Sequence, residues 1–243
     1  MFRSPLSTAF IQFKHCLIAD LNIISNVHDL FINVELYYAK KLEASINLLK
    51  RKKILKPKGM KFYNYIIVDA KLLNELLDRL ITDDDGNLKP GEITLEDVAE
   101  FKRAIIYIGK GCNDRKSKHL EEALLVFDGK MKLDNISAKL TKISKSWEIG
   151  NGVAILQMFS GSDHYRSLCN ENAMIKAAGK NLTNLINGSI YGLMKDKWSI
   201  FEIKIFGEML LYFALKQSII ERPSKIFPIV SIFGHINTKY DTY

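Results

Sequence analysis

The stretch AIIYIGKGCNDRKSKHLEEALLVF, residues 104–127, constrains this chain most. Residues 104–108 are apolar and rich in isoleucine, which predicts a strand. Gly109 and Gly111 flank Lys110 and predict a tight turn. From about Asn113 to Phe127 the apolar residues recur at helical spacing, with Leu120, Ala123, Leu124 and Phe127 on one face. A strand that runs straight into a helix belongs to a chain whose sheet and helices share a core. Arg115 and His119 stand one turn apart on that helix and share a face. The residues alone leave two readings of the glycine corner open: a plain β-turn-α connection, or the phosphate-facing edge of a catalytic site.

The flanking pattern extends this unit. FYNYIIVD (62–69) reads as a strand, KLLNELLDRLI (71–81) as a helix and TDDDGNLKPGE (82–92) as a polar loop. Thr94 with Asp97 has the form of a capping box, so a helix is expected over 95–104. A further helix is expected over about 133–149, with Ile136, Leu140, Ile143 and Trp147 inward, stopped by Gly150-Asn151-Gly152. VAILQMF (153–159) reads as a strand. Ser162 or Asp163 then caps a helix that reaches Ala178 and ends at Gly179, and 181–192 is a loop. The fold class is therefore α/β (α+β), a small three-stranded sheet covered by helices. The expected division is a helical basic extension over 1–60, a central domain over 61–192 with a helical insertion at 70–103, and a helical extension over 193–243. In the first extension an amphipathic helix is expected over 28–53, and in the last a helix over about 200–220 before Pro223 and Pro228.

Composition narrows the partners. With 243 residues and 47% hydrophobic content the chain is globular. Its formal net charge of +8 favours nucleic acid or an anionic membrane surface. Residues 50–61 hold seven basic residues and no acid, including Lys50, Arg51, Lys52 and Lys53. That run reads as a phosphate-binding patch, a nuclear localisation signal, or a solvated helix end. Three scattered cysteines, Cys16, Cys112 and Cys169, make no disulfide framework, and their spacings to His119 and His164 fit no compact zinc pattern. Asp83, Asp85, Gly86 and Glu92 fall at EF-hand positions, but Ile81 occupies the first ligand place, so an acidic loop is the better reading. The first residues lack a signal-peptide pattern, and IFGEMLLYFALKQSII (205–220) is too short and too charged to span a bilayer. A soluble, intracellular protein is expected.

The strings AIIYIGKGCNDRKSKHLEEAL, KLTKISKSWEIGNGVAILQMF and NENAMIKAAGKNLTNLINGSIYG occur in that order. Together with the Tyr65 strand they resemble the GIY-YIG endonuclease superfamily, and within it the metazoan ankyrin-repeat and LEM-domain endonucleases, over roughly residues 62–192. The resemblance implies a metal-dependent DNA endonuclease with a role in DNA repair, acting on branched or unusual DNA and leaving a 5′-phosphate and a 3′-hydroxyl. It implies Mg²⁺ or Mn²⁺ as cofactor, DNA as partner, no membrane, and a nuclear or shuttling location. It also implies roles for matched residues. Tyr65 stands where the GIY tyrosine sits, within YNY, and would contact or deprotonate the attacking water. Tyr107 would position that water, and Arg115 would stabilise charge on the phosphate. Glu171 would hold the metal, and Asn184 would fasten the active-site loop. Lys110 and His119 would make further contacts to phosphate or water, beside Gly109 and Gly111.

The chemistry of these residue types agrees. Phosphodiester hydrolysis needs an oriented water, neutralised phosphate oxygens and a stabilised leaving alkoxide. A guanidinium forks two phosphate oxygens and stays charged. A tyrosine, with an ordinary pKa of about 10, acts as base only where nearby cations favour the phenolate. Taken singly, each residue also has a plain role: strand tyrosine, surface cation, helix glutamate, turn asparagine. Two rival functions are a non-catalytic nucleic-acid-binding module that keeps the fold, and a basic amphipathic protein at a membrane surface.

Overall fold

The computed structural model describes residues 37–47, 61–80, 93–131, 134, 136–179, 182–184 and 198–228. The basic run with Lys50, Arg51, Lys52 and Lys53, the EF-hand-like loop and most of the 181–192 loop lie outside the described residues. Residues 37–47 are helical (α1). Then follow β1 (Phe62–Asp69), α2 (Ala70–Leu80), α3 (Leu95–Ala104), β2 (Ile105–Gly111), α4 (Arg115–Phe127), α5 (Ala138–Glu148), β3 (Val153–Ser162), α6 (His164–Ala178) and α7 (Ile200–Glu221).

The sheet has three strands in the order β2-β1-β3, and β1 pairs antiparallel with both neighbours. All six residues between Phe62 and Asp69 are buried, which explains why this strand reads as a nearly unbroken apolar run. Its side chains alternate between two cores. Ile66 and Val68 enter a large core with α1, α2, α3, α6 and α7. Tyr63, Tyr65 and Ile67 enter a smaller one with α4 and α5. Between Ile67 and Val68 the register with β2 shifts, because Ile67 faces Tyr107 while Val68 faces Ile105. The extra residue, Ile106, lets both Ile106 and Tyr107 pack toward the α4–α5 core.

Caps set the helix starts. Thr94 Oγ1 accepts from the Asp97 amide at 3.2 Å, and Asp97 Oδ2 accepts from the Thr94 amide at 2.7 Å, the expected capping box. Asp163, one of the two expected caps, accepts from the amides of Tyr165 and Arg166 at 2.9 Å each. A second capping box, Ser199 with Glu202, opens α7. This helix is buried on nearly every side. It crosses α6 so closely that a Cβ on Gly207 would lie 1.9 Å from the Ala173 carbonyl oxygen. Helix α1 joins the same core through Tyr38, whose ring lies 5.1 Å from Trp198 and 5.7 Å from Phe206. Lys41–Glu202 and Arg166–Glu43 ion pairs flank that contact.

The glycine corner differs from expectation. Gly109, Lys110 and Gly111 form no tight turn; they are the last three residues of β2. The chain turns after them, at Cys112–Asp114, where Asn113 takes a φ of 52°. The glycines answer to the neighbouring strand. Tyr65 pairs with Gly109 and Tyr63 with Gly111, and the phenol rings lie across them. A Cβ on Gly109 would come 2.6 Å from Tyr65 Cζ, and one on Gly111 2.9 Å from Tyr63 Cζ. Two further boundaries move: α5 starts at Ala138 after a Ser137 cap, and β3 runs on to Ser162 through Phe159 (φ 53°) and Gly161 (φ 82°).

Candidate active site

The α4–α5 face of the sheet carries the site. Tyr65, at the middle of β1, exposes 0% of its surface. Its neighbours across the sheet are Gly109 on β2 and Gln157 on β3. Tyr107 and His119 complete an aromatic triangle with centroid separations of 6.0 Å (Tyr65–Tyr107), 6.0 Å (Tyr65–His119) and 5.5 Å (Tyr107–His119). His119 comes from α4 because Leu120, Ala123 and Leu124 turn that helix onto the sheet.

A polar chain holds the buried phenol. His119 Nε2 is 2.8 Å from Tyr65 Oη. Lys139 Nζ, in the first turn of α5, is 2.7 Å from His119 Nδ1 and 3.3 Å from Nε2. It also lies 4.7 Å from the centre of the Tyr107 ring. Glu122 Oε2 stands 3.4 Å from His119 Nδ1, a longer and weaker contact. An ammonium has only donors. With Lys139 charged, Nδ1 therefore accepts, the ring proton sits on Nε2, and His119 donates to Tyr65 Oη.

The charges are tuned by burial. Tyr65 and Tyr107 both titrate above the ordinary phenol range because their charged forms would lose water, and the Arg115 guanidinium pulls each partly back. Burial lowers the pKa of His119, and the Lys139 charge lowers it further. Burial lowers that of Lys139 as well. His119 is thus neutral at neutral pH, consistent with the assigned tautomer. Arg115 is exposed at the first position of α4.

The outer edge of β2 brings in the remaining residues. Asn184 Oδ1 accepts from the Ile108 amide at 3.1 Å, and Asn184 Nδ2 donates to the Ile108 carbonyl at 2.7 Å. Thr183 donates to the Ile106 carbonyl through its amide at 3.1 Å and its hydroxyl at 2.8 Å. Two residues along the strand, Glu171 Oε1 accepts from the Lys110 amide at 3.0 Å. Burial raises the Glu171 pKa, offset in part by that amide and by the charges of Lys110 and Arg115. Tyr107 in turn feels the Glu171 charge. The Lys110 ammonium lies 5.1 Å over the Phe62 ring.

The structure therefore gathers Tyr65, Tyr107, Arg115, His119, Glu171 and Asn184 around one end of β2. The space above Gly109 and Gly111 is filled by tyrosine rings. The residue that sequence reasoning missed is Lys139. Its signal was weak but present: α4 and α5 both begin with cations and without an acid in the first turn, against the preference set by the helix dipole.

A divalent metal fits this donor set in one form only. Among the described residues no group of three His, Cys, Asp or Glu could hold an ion. Glu171 instead offers a single, half-buried carboxylate, with one oxygen fixed by the Lys110 amide and no ion pair among the described residues. That suits a hard cation such as Mg²⁺, which keeps several waters and binds one or two carboxylates together with substrate phosphate.

An antiparallel sheet with paired tyrosines on adjacent strands, a helix arginine and a lone carboxylate define a nuclease-type domain. The chain belongs to the LEM-3-like GIY-YIG domain family, whose model matches residues 62–231. It is 27% identical over 168 residues to mouse ankyrin repeat and LEM domain-containing protein 1, which covers 68% of this chain and 29% of that protein. The human protein of the same name is 28% identical over 168 residues, covering 68% and 26%. The Caenorhabditis elegans homolog is 28% identical over 160 residues, covering 65% and 20%. The chain thus spans less than a third of the length of these relatives. No solved structure matches it significantly. A nuclease-type function and nucleic-acid binding follow from the family. Among the described residues no helix is long and apolar enough to cross a membrane.

Proposed function

We propose that this chain is a metal-dependent DNA endonuclease that hydrolyses phosphodiester bonds in branched or otherwise unusual DNA. The observation that carries the proposal is the Tyr65–His119–Lys139 chain, set beside Arg115 and across β2 from Glu171. A phenol used as base must lose its proton, and burial opposes that. The protein supplies two compensations. His119 Nε2–H donates to Tyr65 Oη, and Lys139 fixes the tautomer that makes this possible. Arg115 adds positive charge on the open side. The phenolate then takes a proton from the attacking water, which the Tyr107 hydroxyl helps to place. Arg115 forks the phosphate oxygens as negative charge grows on them. Glu171 would hold a divalent cation, Mg²⁺ or Mn²⁺, whose chemistry there is to polarise the phosphate and neutralise the leaving oxygen. Asn184 keeps β2 in register behind Tyr107 through its two bonds to Ile108.

One observation favours a second reading, a binding module that does not cut: Tyr65 exposes no surface to a water. The two readings separate in a nicking and cleavage assay on supercoiled and branched DNA. The endonuclease cuts with Mg²⁺, stops with EDTA, and leaves 5′-phosphate and 3′-hydroxyl ends; Tyr65→Phe and Glu171→Ala bind DNA without cutting. If the wild type retards DNA equally with Mg²⁺ and EDTA and yields no product, the endonuclease proposal is wrong.

A further inference from the structure

Lys116 is not used by this mechanism, yet its side chain is held in a defined place. Its ammonium donates to Gln157 Oε1 at 2.6 Å and lies 6.0 Å from the centre of the Tyr63 ring. Gln157 is itself held at several points. Its Nε2 donates to Ser160 Oγ at 3.0 Å, and its carbonyl accepts from Gln217 Nε2 of α7 at 3.2 Å. Tyr63 is anchored too, donating to the Asn113 carbonyl at 2.6 Å. Lys116 thus stands in a fixed place on an amide, half-buried, with no carboxylate in reach among the described residues. Several fixed cations of the described residues are neutralised, Lys41 by Glu202, Lys102 by Glu208 and Arg166 by Glu43, whereas Lys116, like Lys139 on His119 and Lys225 on the Gly150 carbonyl, is held without a carboxylate. A positioned ammonium with no carboxylate beside it among the described residues is suited to an anion brought by a ligand.

Its position says which anion. Gln157 is directly opposite Tyr65 on β3, whereas Glu171 sits at the far edge of β2. Strands are spaced about 4.8 Å apart, so Lys116 lies too far from the Glu171 edge to share the phosphate held there. Resting on the endonuclease reading, we infer that Lys116, held by Gln157, binds the phosphate next to the scissile one on the side away from Glu171, so that the cut strand crosses the sheet from β2 over β1 to β3.

The test compares wild type, Lys116→Gln, Gln157→Leu and the exposed-site control Lys118→Ala. Each is measured by equilibrium binding in EDTA against salt and by single-turnover cleavage with Mg²⁺. The probe is a branched oligonucleotide, unmodified or with one neutral methylphosphonate on either side of the scissile phosphate. Loss of one phosphate contact lowers the slope of log affinity against log salt by about 0.7–0.9. Lys116→Gln should show that loss, and Gln157→Leu a smaller one, with the rate at saturating DNA unchanged. A methylphosphonate on one flank should weaken the wild type and leave Lys116→Gln no weaker than on unmodified DNA. An unchanged slope, or a methylphosphonate that weakens Lys116→Gln as much as wild type, overturns the inference while wild-type cleavage leaves the endonuclease reading standing. A wild type that binds without cutting removes only the catalytic reading, since the slope and the phosphonate still decide the contact. A wild type that neither binds nor cuts removes both.

Discussion

The two faces of the sheet are built to different ends. Toward α1, α2, α3, α6 and α7 the sheet buries a large apolar core, with Asn64 of β1 buried on the same side and donating to the Ser167 carbonyl of α6 at 2.8 Å. Toward α4 and α5 it buries a smaller one, and Tyr65, Tyr107, His119 and Lys139 gather beside it. Helix starts differ in part. Helices α3 and α7, on the first face, open with acids, Glu96 and Asp97 in one and Glu202 in the other, while α2 and α6 there carry none in their first turns. Helices α4 and α5 open with none. Acids near a helix N-terminus stabilise it by about 0.3–1 kcal/mol. In α4 and α5 their absence comes with Arg115, Lys116 and Lys139 in the first turns, which gives up local stability for positive potential where a phosphate would arrive. One face holds the fold together; the other spends part of that stability on charge.

That division can be broken at several points. The largest effect belongs to the site itself. Tyr65→Phe or Glu171→Ala should lower the single-turnover cleavage rate by about 10²–10³ or more, with DNA retardation retained. A variant of either kind that still cuts within a few fold of wild type would detach chemistry from this face.

A pair of glycines gives the next contrast. Gly207→Ala drives a Cβ against the Ala173 backbone, and that helix pair cannot yield without moving. It should cost about 1–3 kcal/mol of stability, seen as a lower urea midpoint, with cleavage per folded molecule intact. Gly109→Ala pushes against the Tyr65 and Tyr107 rings. Its cleavage rate should fall by more than its stability predicts. Equal behaviour of the two variants would erase the distinction between the faces.

Lys139→Met comes third. It should lower the cleavage rate about tenfold, less than the roughly 10²–10⁴ of a direct proton-transfer group because Lys139 acts through His119, and raise the thermal midpoint, because a half-buried cation is removed. In wild type the rate should climb with pH about tenfold per unit below the Tyr65 pKa, since only the phenolate is the base; a flat profile argues against that role.

The smallest effect is in stability against pH. The His119 pKa is lowered in the folded state, so the unfolded chain takes up its proton first as pH falls. Between 6.5 and that lower folded value the unfolded state binds more protons, and stability falls with acidification. His119→Gln should flatten this part of the curve in calorimetry.

Much of the frame was legible in the sequence because its signals are local. The strand over Phe62–Asp69, the Thr94–Asp97 box, the Asp163 cap and the stop at Gly179 all depend on residues within a few positions of one another. The turn placed at Gly109-Lys110-Gly111 was misread because glycine usually signals chain reversal, whereas here it makes room for rings from the next strand. Arg115 and His119 could be paired from helical spacing. Lys139 could not, because only the packing of α5 against α4 brings it to the imidazole, across 20 residues of chain. Lys116 and Gln157 meet across 41 residues and were hidden for the same reason.

Because β2 borders the sheet, its outward amides form a template on which another chain could add as a strand. Asn184 and Glu171 occupy two of them in succession. The proposed metal carboxylate thus also covers part of that border, and its loss would bare the Lys110 amide there together with removing the proposed cation site.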